Sequence, residues 1–476
     1  MTTEKTRPNI VLVITDQQRF DTIAAQGHPH MVTPNLDRLV REGVSFSRMF
    51  VTAPSCAPSR ASLFTGLYPH QTGVLRNEQP WRWSWVESLA EAGYRCVNVG
   101  KMHTYPWEHP FGFHERHVVE NKDRAHVNVP YFLDNWDMAL YARGFEKPSR
   151  KTWARRADYR ERLGAFAWEL PADLHPDNFV GDLACHWLDI YPGREPFFLE
   201  IGLPGPHPPY DPTEDALALY EDRDLPEPIF ERADIDAQPQ VLKDLRREHT
   251  EDDHDAVVHL FDPTPEQMRR QRQHYFANVT MIDAQVGDLL AALERRGVLD
   301  DTLVIFTSDH GDCLNDHGHS QKWTMYEQSV RVPAVVWGRH LEPSTVDDLC
   351  SWMDFGPTIL EMAGLVPPDW MQARSLVPLL EGGGEGRPRV FAEHARDMIL
   401  KGTACMSMVR DRRWKLVHFV DSPEGQLFDL DADPREVRNL WNDPAHAERR
   451  REMVEEILRW RTLTAMNPAP LPAPVR

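Results

Sequence analysis

The sequence predicts an α/β fold: a large mixed, mostly parallel sheet sandwiched by helices, followed by a small C-terminal antiparallel sheet with one helix. A continuous apolar run at 10–15 and mainly apolar segments at 197–203 and 302–307 are typical of buried strands. Helical stretches separate these runs, as expected when parallel strands are joined by crossovers. Several short strand-like pieces follow a glycine-rich linker near the C-terminus, which is typical of an antiparallel sheet.

The elements of the larger part alternate between strand and helix. Thr33 and Pro34 form a helix start with an N-cap and Pro at N1, and Gly43 ends that helix. Gly93 likewise follows a helix. The predicted elements are, in chain order, strand 10–15, helix 34–42, strand-like segment 46–51, helix 59–65, helix 86–92, strand 95–99, helix 178–190, strand 197–203, helix 265–296, strand 302–307, strand 332–337 and helix 357–363.

Two long insertions interrupt this alternation, at 104–177 and 208–264. Both are rich in Pro, Arg, Asp and aromatic residues and have little periodicity. Insertions of this length between strands often shape the mouth of an active site. The alternative is a set of surface loops with minor helices.

The linker at 381–388 divides the chain into a predicted domain 1–380 and a small α+β subdomain 381–476. Its last residues are Pro-rich and predicted to be extended. The pieces predicted beyond the linker are strands 389–392, 408–410, 414–419 and 426–429, a helix at 444–462 and the tail 467–476.

Composition excludes several classes of partner. The 476 residues carry 53 Lys+Arg and 73 Asp+Glu, a formal charge of −20, which disfavours nucleic acid and anionic membranes. No apolar run approaches the roughly 18 residues of a membrane span. The N-terminus lacks the layout of a signal peptide, so a cytoplasmic protein is expected. Six cysteines without a CxxC pair disfavour a disulfide scaffold or a zinc knuckle.

Polar residues follow two of the apolar strands. Asp16 and Gln17 come at the end of strand 10–15, and Asp309 and His310 follow strand 302–307. Open α/β sheets place ligand sites at such strand ends. Carboxylate and amide oxygens suit a divalent cation, although Asp after a strand is also a common turn residue.

Cys56 lies near the predicted start of helix 59–65. Backbone N–H groups at a helix N-terminus favour an anion, and Arg60, one turn further on, can contact an oxyanion. Physical chemistry alone allows either a thiolate nucleophile of low pKa or an inert buried cysteine.

Cys56-Ala-Pro58-Ser-Arg60, followed by Ala-Ser-Leu-Phe-Thr-Gly, resembles the signature of the type I, formylglycine-dependent sulfatases of the alkaline-phosphatase-like superfamily. The resemblance implies that a formylglycine-generating enzyme oxidises Cys56 to formylglycine, whose hydrated aldehyde is the nucleophile. Pro58 and Arg60 would be part of the modification signal, and Arg60 would also hold the hydrated aldehyde.

Three further motifs resemble the same family. Residues 93–103 end in Gly-Lys101-Met-His103, like the second sulfatase signature, and imply that Lys101 and His103 are catalytic. His207, in a Pro-rich loop after strand 197–203, and Lys322 match further catalytic positions. Without the family, these would be a surface Lys, a His at a strand end and an exposed His in a rigid loop.

The resemblance also implies a metal site. Asp16, Gln17, Asp309 and His310, together with Cys56, would hold one divalent cation. Oxygen ligands favour Ca²⁺ or Mg²⁺, with Ca²⁺ expected first, and the imidazole shifts the balance toward Mn²⁺. The Asp-Gln and Asp-His pairs are similar to those of the choline-sulfatase and phosphonate-monoester-hydrolase branches.

The implied activity is hydrolysis of an aryl, sugar or small alkyl sulfate monoester to an alcohol and inorganic sulfate. Asp309 would accept the nucleophile's proton, His207 and Lys322 would assist the departing alcohol, and His103 would act as the base for sulfate release. One alternative is a phosphonate monoester hydrolase or phosphodiesterase with the same nucleophile and metal. Another is an unmodified metal-binding protein without activity. The expected partners are a small-molecule or carbohydrate sulfate ester, the modifying enzyme of a bacterial-type cytoplasm and, through the Pro-rich tail, a further copy of the chain.

Overall fold

The structure is a computed structural model that describes residues 7–120, 122, 133–395 and 399–474. Fifteen strands lie within these ranges. In chain order they are β1 Asn9–Asp16, β2 Val44–Phe46, β3 Met49–Phe50, β4 Arg95–Gly100, β5 Glu115–Val118, β6 Phe197–Pro206, β7 Thr302–Ser308, β8 Arg331–Val332, β9 Ala334–Trp337, β10 Ser344–Val346, β11 Cys350–Ser351, β12 Val390–Ala395, β13 Cys405–Arg410, β14 Trp414–Phe419 and β15 Gly425–Asp429.

Fifteen α-helices lie within the same described ranges. They are α1 Pro34–Glu42, α2 Cys56–Thr65, α3 Pro69–Thr72, α4 Val86–Glu91, α5 Asn135–Ala142, α6 Arg150–Trp153, α7 Pro176–Ile190, α8 Glu214–Ala218, α9 Arg232–Ala237, α10 Gln240–Glu251, α11 Pro265–Arg295, α12 Glu327–Val330, α13 Phe355–Met362, α14 Val377–Leu380 and α15 Ala447–Met466.

The central sheet has eight strands in the order β10-β2-β9-β7-β1-β6-β4-β5. Strands β7, β1, β6, β4 and β5 are mutually parallel, and β10 is parallel to β2. Only β9, among the strands described, runs antiparallel to its two neighbours in this sheet. The prediction of a mixed, mostly parallel sheet is therefore confirmed.

The apolar run in β1 packs against helices on both faces of the sheet. Ile10, Leu12 and Ile14 belong to one buried cluster, whereas Val11 and Val13 belong to another. Successive side chains of a strand point to opposite faces, so a strand covered on both sides needs apolar residues at every position.

Two segments predicted as single strands are each divided between two sheets. Segment 46–51 turns after Phe46, so that β2 lies in the central sheet and β3 in a three-stranded sheet with β8 and β11. Segment 332–337 is divided at Pro333, whose missing N–H interrupts pairing. The three-stranded sheet was not predicted, because strands of two residues show no periodicity.

The C-terminal residues form the antiparallel sheet β12-β13-β14-β15, which is the small sheet expected from the sequence. Helix α15 follows a short 3₁₀ turn, Pro444–His446, and extends four residues beyond the predicted end at 462. Buried apolar residues run without interruption from β1 to Trp460 of α15. The boundary at 381 stays a prediction.

The described part of the chain contains no helix with the length and apolarity needed to cross a bilayer. All six cysteines are free. The two insertions contain short helices, α5 and α6 in the first and α8 to α10 in the second. Residues 121 and 123–132 of the first insertion lie outside the described residues.

Candidate active site

The site lies at the carboxyl ends of four neighbouring strands, β7, β1, β6 and β4. Asp309 follows β7, Asp16 ends β1, His207 follows β6 and Lys101 follows β4. Parallel strands end at the same edge of a sheet, so four segments that are distant in sequence converge there.

Four side chains at this edge form a buried cluster of possible metal ligands: Asp16, Cys56, Asp309 and His310. Each offers one ligand atom within 4.8 Å of the others. The Cys56 Sγ lies 3.2 Å from His310 Nε2 and 3.6 Å from Asp16 Oδ1. Two carboxylates and an imidazole converging on one point suit a divalent cation.

Gln17 presents its side-chain amide to the same cluster. Its Oε1 accepts a hydrogen bond from Lys322 Nζ at 2.9 Å, and its Nε2 donates to Asp312 Oδ2 at 2.8 Å. This orientation turns the amide oxygen toward Lys322, which is itself 3.6 Å from Cys56 Sγ. The carboxylates and the imidazole of the cluster therefore fit the divalent cation that the sequence predicts, whereas the Gln17 amide oxygen contacts the Lys322 ammonium.

Gln17 has a left-handed backbone, with φ 72°. Such a conformation is uncommon for a non-glycine residue and requires support from its surroundings. The Gln17 N–H donates to Asp309 Oδ1 at 3.1 Å, and its carbonyl accepts from the Tyr275 hydroxyl at 2.6 Å. The Tyr210 hydroxyl donates to Asp312 at 2.6 Å, which fixes the carboxylate that holds the amide.

Cys56 is the first residue of α2, which begins three residues earlier than predicted. Burial, followed by the nearby Asp16 carboxylate, raises the pKa of the Cys56 thiol to about 12. A thiol that stays protonated at neutral pH is a weak nucleophile. Of the two physical alternatives for this cysteine, the charges around it do not favour a thiolate of low pKa.

Three cationic side chains surround Cys56. The fully buried Arg60 donates from Nε to Asp309 Oδ2 at 2.7 Å and from Nη1 to the Lys101 carbonyl at 2.6 Å. Lys101 forms an ion pair with Asp16, and Lys322 Nζ lies 3.6 Å from Cys56 Sγ. A tetrahedral oxyanion at this point would lie near the positive charges of these three side chains.

A glycine allows Lys101 to lie this close to the sheet. A Cβ atom on Gly202 of β6 would lie 1.9 Å from the Lys101 carbonyl oxygen. That separation is far below van der Waals contact, so a side chain at position 202 would displace the backbone of Lys101.

The two predicted histidines are held by different contacts. The backbone N–H of His103, at φ 60°, lies 3.1 Å from both Glu120 carboxylate oxygens, and its ring stacks on Trp107 with centroids 5.9 Å apart. His207 Nδ1 lies 2.8 Å from the Pro208 carbonyl oxygen, and Nε2 lies 3.4 Å from Asp255 Oδ2. His207 is buried, in contrast to the exposed histidine of the rigid-loop alternative.

The structure thus joins Asp16, Gln17, Cys56, Arg60, Lys101, Asp309, His310 and Lys322 by direct contacts, while His207 reaches Lys322 through Asp255 and His103 follows Lys101 by two residues. Five residues that contact the site carry no role predicted from the sequence: Tyr210, Tyr275, Asp255, Glu120 and Asp312. Asp312 lies in the same short motif as Asp309, so its proximity was accessible from the sequence. Tyr210 likewise lies three residues after His207 in the Pro-rich loop, whereas Tyr275, Asp255 and Glu120 carry no such signal.

Two family models match this chain. A family model described as "Sulfatase" matches residues 8–365, and one described as "N-sulphoglucosamine sulphohydrolase, C-terminal" matches residues 315–462. The chain is 29% identical to an arylsulfatase of Clostridium perfringens, over 95% of this chain and 94% of that protein. It is 31% identical to a choline-sulfatase of Rhizobium meliloti, over 93% and 84%.

The fold is also that of a solved hydrolase. The crystal structure of a phosphonate monoester hydrolase of Agrobacterium radiobacter matches with a TM-score of 0.80 and 28% identity, covering 96% of each chain. The likeness therefore extends over both the central sheet and the C-terminal sheet.

Proposed function

We propose that this chain, which belongs to the sulfatase family and is a sulfuric ester hydrolase, converts an aryl, sugar or small alkyl sulfate monoester to the alcohol and inorganic sulfate. The observation that carries the proposal is the position of Cys56. Its side chain lies between the possible metal ligands Asp16 and His310 and the cation of Lys322.

Asp16, Gln17, Asp309 and His310, with the side chain at position 56, would hold one divalent cation. The oxygen donors favour Ca²⁺, and the imidazole leaves Mn²⁺ and Mg²⁺ as alternatives. When bound, the cation supplies positive charge for the non-bridging oxygens of the ester.

Formylglycine at position 56, made from Cys56 by a formylglycine-generating enzyme, would supply a geminal diol as the nucleophile. One hydroxyl attacks sulfur in line with the leaving alcohol, and the second allows sulfate to be released as the aldehyde re-forms. Serine or cysteine has no second hydroxyl and would be left as a stable ester.

The other residues act on charge and protons. Arg60, Lys101 and Lys322 stabilise the charge on the non-bridging oxygens. Asp309, 3.6 Å from His310, accepts the proton of the attacking hydroxyl. His207 and Lys322 assist the departing alcohol, and His103 takes the proton during sulfate release.

A phosphonate monoester or phosphodiester substrate is the second candidate. It is supported by the likeness to the Agrobacterium phosphonate monoester hydrolase, named above, and by the Asp16-Gln17 and Asp309-His310 pairs. Both substrate classes present a tetrahedral oxyanion to the same cations. They differ in the charge and in the substituents around the central atom.

The test combines mass spectrometry with turnover. After co-expression with a formylglycine-generating enzyme, the peptide containing Cys56 is expected to replace one sulfur and two hydrogens with one oxygen. The modified protein is then assayed on an aryl sulfate, sulfated sugars, choline sulfate and an aryl phosphonate monoester. We expect the highest kcat/KM on a sulfate ester.

Two variants control the assay. Cys56→Ala is expected to abolish turnover without unfolding the protein, whereas Cys405→Ala, in the C-terminal sheet, should retain it. Full activity of Cys56→Ala, or a modified protein that hydrolyses none of the sulfate esters, would contradict the proposal. A higher kcat/KM on the phosphonate would establish the second candidate.

A further inference from the structure

Asp255 is a buried carboxylate that belongs to none of the predicted motifs. It lies in the second insertion, in the 3₁₀ turn His254–Ala256 between α10 and α11. Its backbone is left-handed, with φ 53°, and only 7% of the residue is exposed. A buried acid in an unfavourable backbone conformation requires contacts that compensate both costs.

Those contacts are with the two side chains assigned to the leaving group. Asp255 Oδ2 lies 3.4 Å from His207 Nε2 and 3.4 Å from Lys322 Nζ. The other oxygen, Oδ1, forms an ion pair with Arg150 of α6, in the first insertion. One carboxylate therefore connects three residues from separate parts of the chain.

We infer that Asp255 is a positioning residue, which holds His207 and Lys322 side by side where the leaving alcohol departs. This inference rests on the proposed function, because it concerns the leaving-group half of that reaction. It does not depend on which sulfate ester is the substrate.

The geometry of His207 supports this role. The Pro208 carbonyl can only accept a hydrogen bond, so His207 Nδ1, 2.8 Å away, keeps its hydrogen. Nε2 is then the nitrogen that exchanges a proton. When Nε2 takes up a proton, the Asp255 carboxylate attracts and orients it, and the 3.4 Å separation, longer than a normal hydrogen bond, leaves that proton available to a substrate oxygen.

Lys322 gains a fixed position from the same carboxylate. A lysine carries its ammonium on a flexible four-carbon stem, so several partners are needed to hold the ammonium in one place. Nζ lies 2.9 Å from Gln17 Oε1, 3.4 Å from Asp255 Oδ2 and 5.1 Å from the ring centre of Trp323. Asp255 is the carboxylate among these three partners, and its charge opposes that of the ammonium together with the more distant Asp16 and Asp309.

The carboxylate of Asp255 remains ionised despite its burial. Burial acts to raise its pKa, but Lys322, then His207 and Arg150, hold that pKa well below the usual range. Arg150 also occupies the second oxygen, which leaves Oδ2 for His207 and Lys322.

The test is Asp255→Asn, compared on two aryl sulfates. Asn has the same shape as Asp and also tolerates a left-handed backbone, so the turn is expected to fold. On phenyl sulfate, whose phenol is a poor leaving group, we expect kcat to fall about 10- to 100-fold. On para-nitrophenyl sulfate, whose leaving group needs little assistance, the change should stay within a few-fold.

Asp253→Asn is the matched control. Asp253 lies two residues earlier in the chain and faces Arg160 at 3.4 Å, in a pair that is more than half exposed on the arginine side. It makes none of the contacts described for Asp255, so both esters should be hydrolysed at the wild-type rate. Thermal unfolding of all variants establishes that each is folded.

Equal losses on the two esters after Asp255→Asn would overturn the inference. A second readout is the His207→Ala background, in which Asp255→Asn should cost less than it does alone. If the fold-losses in kcat of the two single variants multiply fully in the double variant, Asp255 and His207 act independently and the inference is contradicted. If Asp255→Asn does not fold, Arg150→Gln removes the charge that holds the same carboxylate. Its kcat should fall less than that of Asp255→Asn, and again more on phenyl sulfate than on para-nitrophenyl sulfate. Absence of any sulfate turnover by wild-type protein would refute the proposed function instead.

Discussion

Removal of the Arg60 side chain tests how much this buried cation contributes to stability and how much it contributes to turnover. Arg60→Ala deletes a guanidinium that is fully buried and that pairs with Asp309 at 2.7 Å. Asp309 is then left without its closest cation, in surroundings that water does not reach. The Lys101 carbonyl also loses its donor, Arg60 Nη1.

The expected loss of stability follows from this burial. Removing one partner of a buried ion pair costs about 3–5 kcal/mol, because the other charge stays buried and uncompensated. For 476 residues, at about 2.1 cal/mol/K per residue, the unfolding entropy is about 1 kcal/mol/K. If the chain unfolds as one unit, Tm should therefore fall by about 3–5 °C.

The assay measures thermal unfolding and turnover on the same samples. Turnover of para-nitrophenyl sulfate should fall by about 10²- to 10³-fold, as expected when one charged donor to an oxyanion is removed. Arg38→Ala is the control. Arg38 is an exposed arginine of α1 that pairs with Glu42 at 3.2 Å, and surface pairs of this kind contribute about 0–1 kcal/mol.

Both roles of Arg60 are refuted if Arg60→Ala keeps the wild-type Tm and the wild-type kcat. A lower Tm with full activity would retain the structural role and remove the catalytic one. Equal decreases in Tm for Arg60→Ala and Arg38→Ala would show that the buried ion pair contributes no more to stability than the exposed one.

Two further predictions concern pH and metal. Burial raises the pKa of Glu200 on β6 to about 8 from the ordinary 4.5, so the unfolded chain ionises first, and stability falls as pH rises through this interval. Glu200→Gln should flatten the decline in Tm between about pH 4.5 and pH 8; an unchanged slope contradicts the assignment. EDTA should lower Tm and activity together, and Ca²⁺ should restore both. At 100 times its Kd, Ca²⁺ is expected to add about 2.7 kcal/mol to the free energy of unfolding. Asp16→Asn, which lacks one possible metal ligand, should respond little to EDTA or Ca²⁺. Wild-type protein that is insensitive to EDTA would remove the metal site.

Much of the site could be predicted from the sequence because its residues are tied to strand ends. A buried parallel strand is recognisable from an unbroken apolar run, and the polar residue that ends the run marks the sheet edge. Asp16 and Asp309 satisfy this rule, whereas Lys101 and His207 follow strands that include the polar residues Asn98 and Glu200. Their order in the sheet was not predictable, since it depends on how distant strands pair.

Asp255 and Arg150 could not be found in this way. Both lie in insertions with little periodicity, and their contact depends on how two loops meet in space. The division of segment 332–337 at Pro333 was also only partly predictable. A proline is visible in the sequence, but the sheet that each half joins is decided by tertiary packing.

The acidic chain also constrains how the site attracts an anion. The formal charge is −20, so a sulfate ester must find local positive charge at the site. There the cations of Arg60, Lys101 and Lys322 are balanced by Asp16, Asp309 and Asp312, and the pair of Asp255 with Arg150 adds no net charge. The protein groups alone therefore leave the site close to neutral. A divalent cation would turn this balance positive, so substrate affinity and metal affinity should rise and fall together.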